Sequence, residues 1–528
     1  MRKQRSDAVV ATSLDGHNMN SLFSRRNFLK ASGAVASLPL FGGLNVAAQD
    51  GAKTLTIASN VNLTAMNPTL PAATGNQLQT YYTTFFDPFI KQAPDLNYVP
   101  SVLTKWGWNE DMTKVELVVR DGVVWHDGSP FTAEDVAWSL DRAGRPENKN
   151  PLRFVWASLS NFKVDGNVVT ADVVRFEPTI FKWFGFLGAY VLPKKYIEKV
   201  GLDGFEEAPI GTGPYMVEKF ERNSFLRLKA NDKYWGGKPA FDTVIFKFVT
   251  DGAGRVAQVE SGSSDLTYNI PFEEYDRLRQ KGFEGSAILV TNCATLFITN
   301  KDAMLDPNVR RAAHHAIDKK AIVQRLMRGY GEPQSTMQAR EYDAYDPSIQ
   351  VAYDPKLAEK LLADSGYSTQ RPVQVTMQTT KGMAPKDFEI TQAVAGMWRK
   401  VGIEAAIEVV DLPKRSELIR NYQAANFVFQ SWSNATGDPH NCTGFALYDK
   451  SVQSCWRDRE LGAKMDPLWV EKDFKKRVAG WKEIDRLVAK NAYIIPLFQY
   501  AQPIVYRKGL KVVPYKSELV LPQTMSLA

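Results

Sequence analysis

Histidine and cysteine are scarce in this chain of 528 residues, with five of the first and three of the second. The cysteines form no C-x-x-C or C-x-x-H pattern, which argues against a metal cluster. General bases are few. No G-x-S-x-G, no H-E-x-x-H and no P-loop occurs, so the familiar hydrolase, zinc-protease and nucleotide signatures are excluded. No run approaches the roughly 20 apolar residues that a membrane-spanning helix requires. Charge of one sign is also lacking. Of the net +7, residues 1–48 hold +4, from Arg2, Lys3, Arg5, Arg25, Arg26 and Lys30 against Asp7 and Asp15. The dispersed +3 that remains gives no footprint for nucleic acid.

The length exceeds what one core organises, so two or three domains are expected. Trp, Tyr and Phe number 12, 20 and 28, which suits an aromatic-lined pocket and equally a large core. The first segment reads as an address. Residues 24–30, Ser-Arg-Arg-Asn-Phe-Leu-Lys, match the twin-arginine export consensus around Arg25 and Arg26. A short apolar run follows, and the small residues Val46-Ala47-Ala48 place signal cleavage after Ala48. No cysteine lies there to carry a lipid. The expected product is a soluble periplasmic protein whose export partner is the twin-arginine translocase. In an oxidising compartment Cys442 and Cys455 can pair, closing a short loop worth about 3 kcal/mol. Cys293 is then left as a buried thiol.

The chain is organised around residues 103–141. Val115, Leu117 and Val119 alternate with Glu116, Val118 and Arg120, as in a half-buried strand. Asp121-Gly122 and Asp127-Gly128 are turns flanking a short strand at 123–125. Thr132 caps a helix at the N–H of Asp135, with Glu134 and Asp135 in the positive first turn. The order WGWNEDMTKVELVVRDGVVWHDGSPFTAEDVAWSL resembles the signature of the peptide/nickel/opine class of bacterial extracellular solute-binding proteins, family 5, which feed ABC importers. His126, Trp125 and Trp138 read as scaffold. The resemblance covers nearly all of the mature chain. It includes Pro209-Ile210-Gly211-Thr212-Gly213-Pro214-Tyr215 with Asn231 to Trp235, and the helix from Asp306-Pro307 to Asp318. The first of these lacks the Lys-Ser/Thr of a phosphate loop, and Pro214 removes a donor. Asp306, Asp318 and Asp354 each suit a helix N-cap, and His314 and His315, being adjacent, point to different sides of their helix.

Residues 373–410 read as strand, helix, strand, most simply parallel with a right-handed crossover. The resemblance implies an α/β protein with the two-lobed periplasmic-binding-protein fold (type II, large peptide-binding type) and an extra subdomain inserted in the first lobe. The expected divisions are 1–48 for the signal and 49–82, 209–293 and 494–528 for lobe I. The insertion takes 83–208, and lobe II takes 294–493. A disulfide between Cys442 and Cys455 is implied as well. Ligand-binding candidates follow from the same likeness. Residues 430–439 resemble a strand and loop alongside which a peptide runs as an added strand, so Ser431, Trp432, Ser433, Ala435 and Asp438 are candidates. The Trp432 ring suits either a core or a stack on the ligand, and Asp438 suits a turn. Peptide-binding members carry an aspartate where this chain has Ala435, which puts a free α-ammonium held there in question. Lys381, in a loop at a strand's carboxyl end, is the candidate partner for a ligand carboxylate, and Asn60 and Asn62 are candidates in lobe I.

The function expected is a monomeric periplasmic receptor, with no cofactor and no catalysis, that passes a peptide or other small molecule to an ABC permease and ATPase. Modified peptides, opines, oligosaccharides and a metal chelate are alternative ligands. A secreted cofactor enzyme is the alternative of another class.

Overall fold

The computed structural model describes residues 53–528, apart from Thr74 and Ala435. The signal motif, the cleavage position and Ala435 therefore lie outside the described residues. One strand, Thr54–Ser59, explains the centre of the first lobe. Leu55, Ile57 and Ala58 are fully buried, as befits a strand covered on both faces. It lies parallel to Thr243–Phe248 on one side and Leu266–Tyr268 on the other. Phe225–Ala230 and Tyr215–Glu221 extend the sheet antiparallel. In the second lobe Val373–Thr379 and Ile403–Val409 pair in parallel from Val373↔Ile403 to Thr379↔Val409, as a strand–helix–strand unit requires.

Two long strands, Glu284–Ile298 and Ile494–Tyr506, join these halves into one eleven-stranded sheet. They pair antiparallel from Glu284↔Tyr506 to Phe297↔Ile494, with register breaks between Leu289 and Cys293 and between Ala294 and Thr295. The breaks divide a portion beside Leu266–Tyr268 from a portion beside Phe427–Ser433. A core around Tyr81, Phe85, Tyr215 and Phe246 fills the first lobe, and one around Trp398, Phe427, Trp481 and Phe498 fills the second. A third core, around Val115, Trp125, Val136 and Trp156, belongs to a four-stranded antiparallel sheet with the order Leu103–Trp108, Lys114–Val119, Val168–Val173, Leu159–Asp165.

The organising stretch forms largely as its residues dictate. Thr132 Oγ1 accepts from the N–H of Asp135 (3.4 Å), and Asp135 Oδ2 accepts from the N–H of Thr132 (3.0 Å). This reciprocal capping box starts the helix Ala133–Gly144. The strand expected at 123–125 shrinks to a single bridge, Val124↔Pro130, because the turn at 127–128 folds back at once. His126 ties the stretch to the glycine loop: the N–H of Gly211 donates to Nδ1 and Nε2 donates to the carbonyl of Gly213, both at 3.1 Å. Burial pushes its pKa down to about 4, so the ring is neutral. The glycines are there for close approach. A Cβ on Gly211 would lie 1.9 Å from the carbonyl oxygen of Phe85, and one on Gly213 2.6 Å from its carbonyl carbon.

Asp306, Asp318 and Asp354 cap their helices through the N–H groups of Asn308, Ala321 and Leu357. His314 is buried against Lys319, whereas His315 faces the carbonyl of Ala352.

Candidate functional site

Strand alternation decides which side chains of Phe427–Ser433 face the cleft. Side chains of neighbouring residues point to opposite faces. Ser431 and Ser433 share one face. Ser431 Oγ donates to Asn292 Oδ1 on the adjacent crossing strand (2.8 Å), and Ser433 Oγ lies 3.4 Å from Asn76 Nδ2 of the first lobe. Trp432 points the other way, packs on Phe297 and donates its indole N–H to the carbonyl of Asn441 (2.7 Å). On its other edge this strand pairs with Val373–Thr379 only at Phe427 and Val428. Beyond Val428 that edge has no strand partner among the described residues.

A cavity of about 350 Å³ lies beside this edge, lined by both lobes and by the crossing strands. Asn60, at the end of the central strand of the first lobe, and Ser431 and Lys381, of the second, all reach it. Several of its polar atoms are buried without a partner in the protein: Asn60 Oδ1, Arg255 Nε, Tyr500 Oη and Gln502 Oε1. The polar and charged side chains of this lining, Asn60, Arg255, Ser431 and Lys381 among them, suit a polar occupant.

Arg255 brings fixed positive charge. Its guanidinium donates to the carbonyls of Val249, Thr250 and Asn269 at 2.8, 2.8 and 2.9 Å, and burial lowers its pKa. These bonds hold the two loops that form one wall. The opposite wall is the loop 380–387. Asp387 organises it by accepting from Thr380 Oγ1 (2.7 Å) and from the N–H groups of Gly382 and Met383 (2.8 and 3.0 Å). Lys381 itself is exposed, with its ammonium 5.4 Å from the Phe388 ring. Lys386, also on the lining, pairs with Glu273 at 2.6 Å.

The other expected residues lie elsewhere. Asn62 donates to Asn223 Oδ1 (3.1 Å) and does not line the cavity. Asp438 is a buried structural residue: it caps the turn at His440 N–H (3.0 Å) and accepts both Arg477 nitrogens, one at 2.7 Å. Burial alone would raise its pKa, but the charges of Arg477 and Lys182 drive it far below the carboxylate range. The expected Cys442–Cys455 disulfide is not formed, and all three cysteines are free and buried. Cys442 sits with its sulfur 3.2 Å from Gln338 Oε1, while Cys455 sits in the field of Arg457, Lys301 and Arg415. The helix Thr443–Leu447 lies between them in the chain, and the spacing that suggested a bridge did not translate into a bond. Arg255, Asn292, Tyr500, Gln502 and Glu518 are lining residues that sequence reasoning missed. Among the described residues no group of three or more His, Cys, Asp or Glu could hold a metal.

A family profile described as "Bacterial extracellular solute-binding proteins, family 5 Middle" matches residues 97–453. The dipeptide-binding protein of Escherichia coli K12 is 25% identical over 489 residues, covering 86% of this chain and 91% of that protein. The glutathione-binding protein GsiB of Salmonella paratyphi A is 26% identical over 430 residues, covering 79% and 80%. Among solved structures, the periplasmic binding protein DppA of Helicobacter pylori, in complex with the peptide STSA, superposes with a TM-score of 0.78 at 18% identity, covering 90% of this chain and 98% of that one. The two-lobed type II fold is thus shared with that protein, and the chain belongs to the bacterial extracellular solute-binding proteins, family 5.

Proposed function

We infer that this chain is the periplasmic receptor of an ABC importer and that it captures a small peptide between its lobes. The observation that carries the reading is the cavity, which is polar, bears charge of both signs and is lined from both lobes and the strands that join them. Its volume of about 350 Å³ lies near the lower end of the roughly 300–1,000 Å³ usual for small-molecule sites, which favours a dipeptide or tripeptide over a long chain. The unpaired edge at 429–433 suits a peptide backbone added as a strand, with side pockets supplying choice. The relatives named for dipeptide and glutathione support the same class.

The mechanism is capture and delivery without chemistry. Ligand contacts to both lobes favour the closed form, and the broken register at 289–295 supplies the place to bend. Ser431, Asn60 and Lys381 are the proposed ligand-contacting residues among those expected. Among the described residues no helix is long and apolar enough to cross a membrane. Export through the twin-arginine route with cleavage after Ala48, a monomeric state, and delivery to a permease–ATPase complex complete the proposal. Titrating the purified protein with mixed dipeptides while following its melting temperature tests it. A concentration-dependent rise is expected, and no rise with any dipeptide or tripeptide refutes the peptide class.

A further inference from the structure

We propose that Glu518 is the anion that receives a cationic group of the ligand, an assignment that rests on the receptor reading above. Glu518 lines the cavity, and its side chain is buried. Its carboxylate is gripped from three directions by neutral groups only. Asn292 Nδ2, on a crossing strand, donates to Oε1 (3.0 Å), and Asn76 Nδ2, of the first lobe, donates to Oε2 (3.1 Å). Ser433 Oγ, of the second lobe, is the third partner. Among the described residues no Lys, Arg or His lies within 4.0 Å of it. Neighbouring Lys516 is turned to Glu341 at 3.4 Å.

A buried carboxylate with no cation is a costly arrangement, because neutral hydrogen bonds return only part of the lost hydration. Burial accordingly pushes the Glu518 pKa up. Carboxylate oxygens offer about four acceptor sites, so amide and hydroxyl donors leave room for an ammonium. The backbone aims the group: the N–H of Glu518 donates to the carbonyl of Tyr515 (3.0 Å), and its own carbonyl accepts from Gln502 Nε2 (3.1 Å).

The cavity's other carboxylates are committed or outlying. Asp387 is consumed by its loop, Asp251 caps the helix Gly252–Glu260 through the N–H of Gly254, and Glu389 is exposed. Asp438 belongs to Arg477, and position 435 is alanine, so the loop after Trp432 offers no free acid. With Lys381 and Arg255 on the same cavity, the ligand class is a zwitterion, with its cation at Glu518 and its carboxylate toward the basic residues. Because the donors to Glu518 come from both lobes and a crossing strand, a cation held there also stabilises the lobes together.

The test compares an equimolar set of dipeptides carrying free amino termini with the same set N-acetylated, by calorimetric titration of wild type and Glu518→Gln. Wild type is expected to bind the free-amino set at least tenfold more tightly. Glu518→Gln should lose at least tenfold on that set and nothing on the acetylated one, and Glu518→Asp should recover part of the loss. Equal wild-type affinities for the two sets, or a Glu518→Gln protein that binds free-amino dipeptides as wild type does, overturns the proposal. If wild type binds neither set, the peptide reading fails. The small molecule released from natively purified protein then decides Glu518: a molecule bearing a cation upholds the assignment, and one without overturns it.

Discussion

Replacing Asp438 by Asn removes one charge from an ion pair that is 2% exposed on both sides. Asn keeps the volume and the oxygen that caps the turn at His440, so the change removes the charge that pairs with Arg477 and, at 3.7 Å, with Lys182. Arg477 would remain buried, bonded to the carbonyl of Leu468 (3.0 Å) but with no carboxylate. Breaking a buried pair in this way costs about 3–5 kcal/mol, because the surviving charge keeps its desolvation penalty. For a lobe of this size that corresponds to a fall of roughly 10 °C in the melting temperature of the second lobe. Calorimetric scans of wild type and Asp438→Asn measure it. Asp438→Asn combined with Arg477→Met should recover most of the loss, since well-packed apolar groups replace buried pairs nearly neutrally. The pH dependence has a definite sign. The folded carboxyl is held far below its unfolded value of about 3.9, so its stabilisation is complete above that pH and is lost as pH falls toward the folded value. Asp438→Asn should therefore unfold less steeply in acid. A loss below about 1 kcal/mol, or a double variant no better than the single one, would refute the reasoning.

Lys381→Ala should weaken binding of an anionic ligand about tenfold and leave the melting temperature of the free protein unchanged, since the side chain is exposed, with its ammonium over the Phe388 ring. Titration and melting curves check both halves. His126 and His440 have pKa values pushed down to about 4 by burial, and that of His314 is lower than usual for the same reason. Unfolded histidines take up protons near about 6.5, so stability should fall as pH drops from about 6.5 to 4, and His126→Asn should flatten part of that slope. A reductant should leave the melting temperature unchanged, and thiol titration of the unfolded chain should find three thiols. In the folded protein the thiols should resist alkylation, because burial raises the Cys293 and Cys455 pKa values to about 12 and that of Cys442 further.

What was legible in the sequence is what local chemistry encodes. The cap at Thr132, the aspartate N-caps and the alternation at 373–379 and 403–409 each follow from a few neighbouring residues. The likeness of its strand and loop to a family feature pointed to Ser431, which lines the cavity. For Trp432 the sequence left a core ring and a stack on the ligand both open, because residue type says nothing about which strand face meets the cleft; the ring packs on Phe297. The cysteines misled because separation along the chain does not set separation in space. Glu518 had no local signal at all: its partners stand at positions 76, 292 and 433, and only the folded chain assembles them.

Capture in the interlobe cavity is tested most directly by native mass spectrometry of wild type and Ser431→Trp purified from the native periplasm. The indole would occupy the cavity beside Asn292 while leaving both cores intact. The expected result is one small molecule bound per wild-type chain and none on the variant, with the variant still folded. A variant that keeps the same molecule would place the site elsewhere. A wild-type chain that stays empty even with added dipeptides would contradict its role as a peptide receptor.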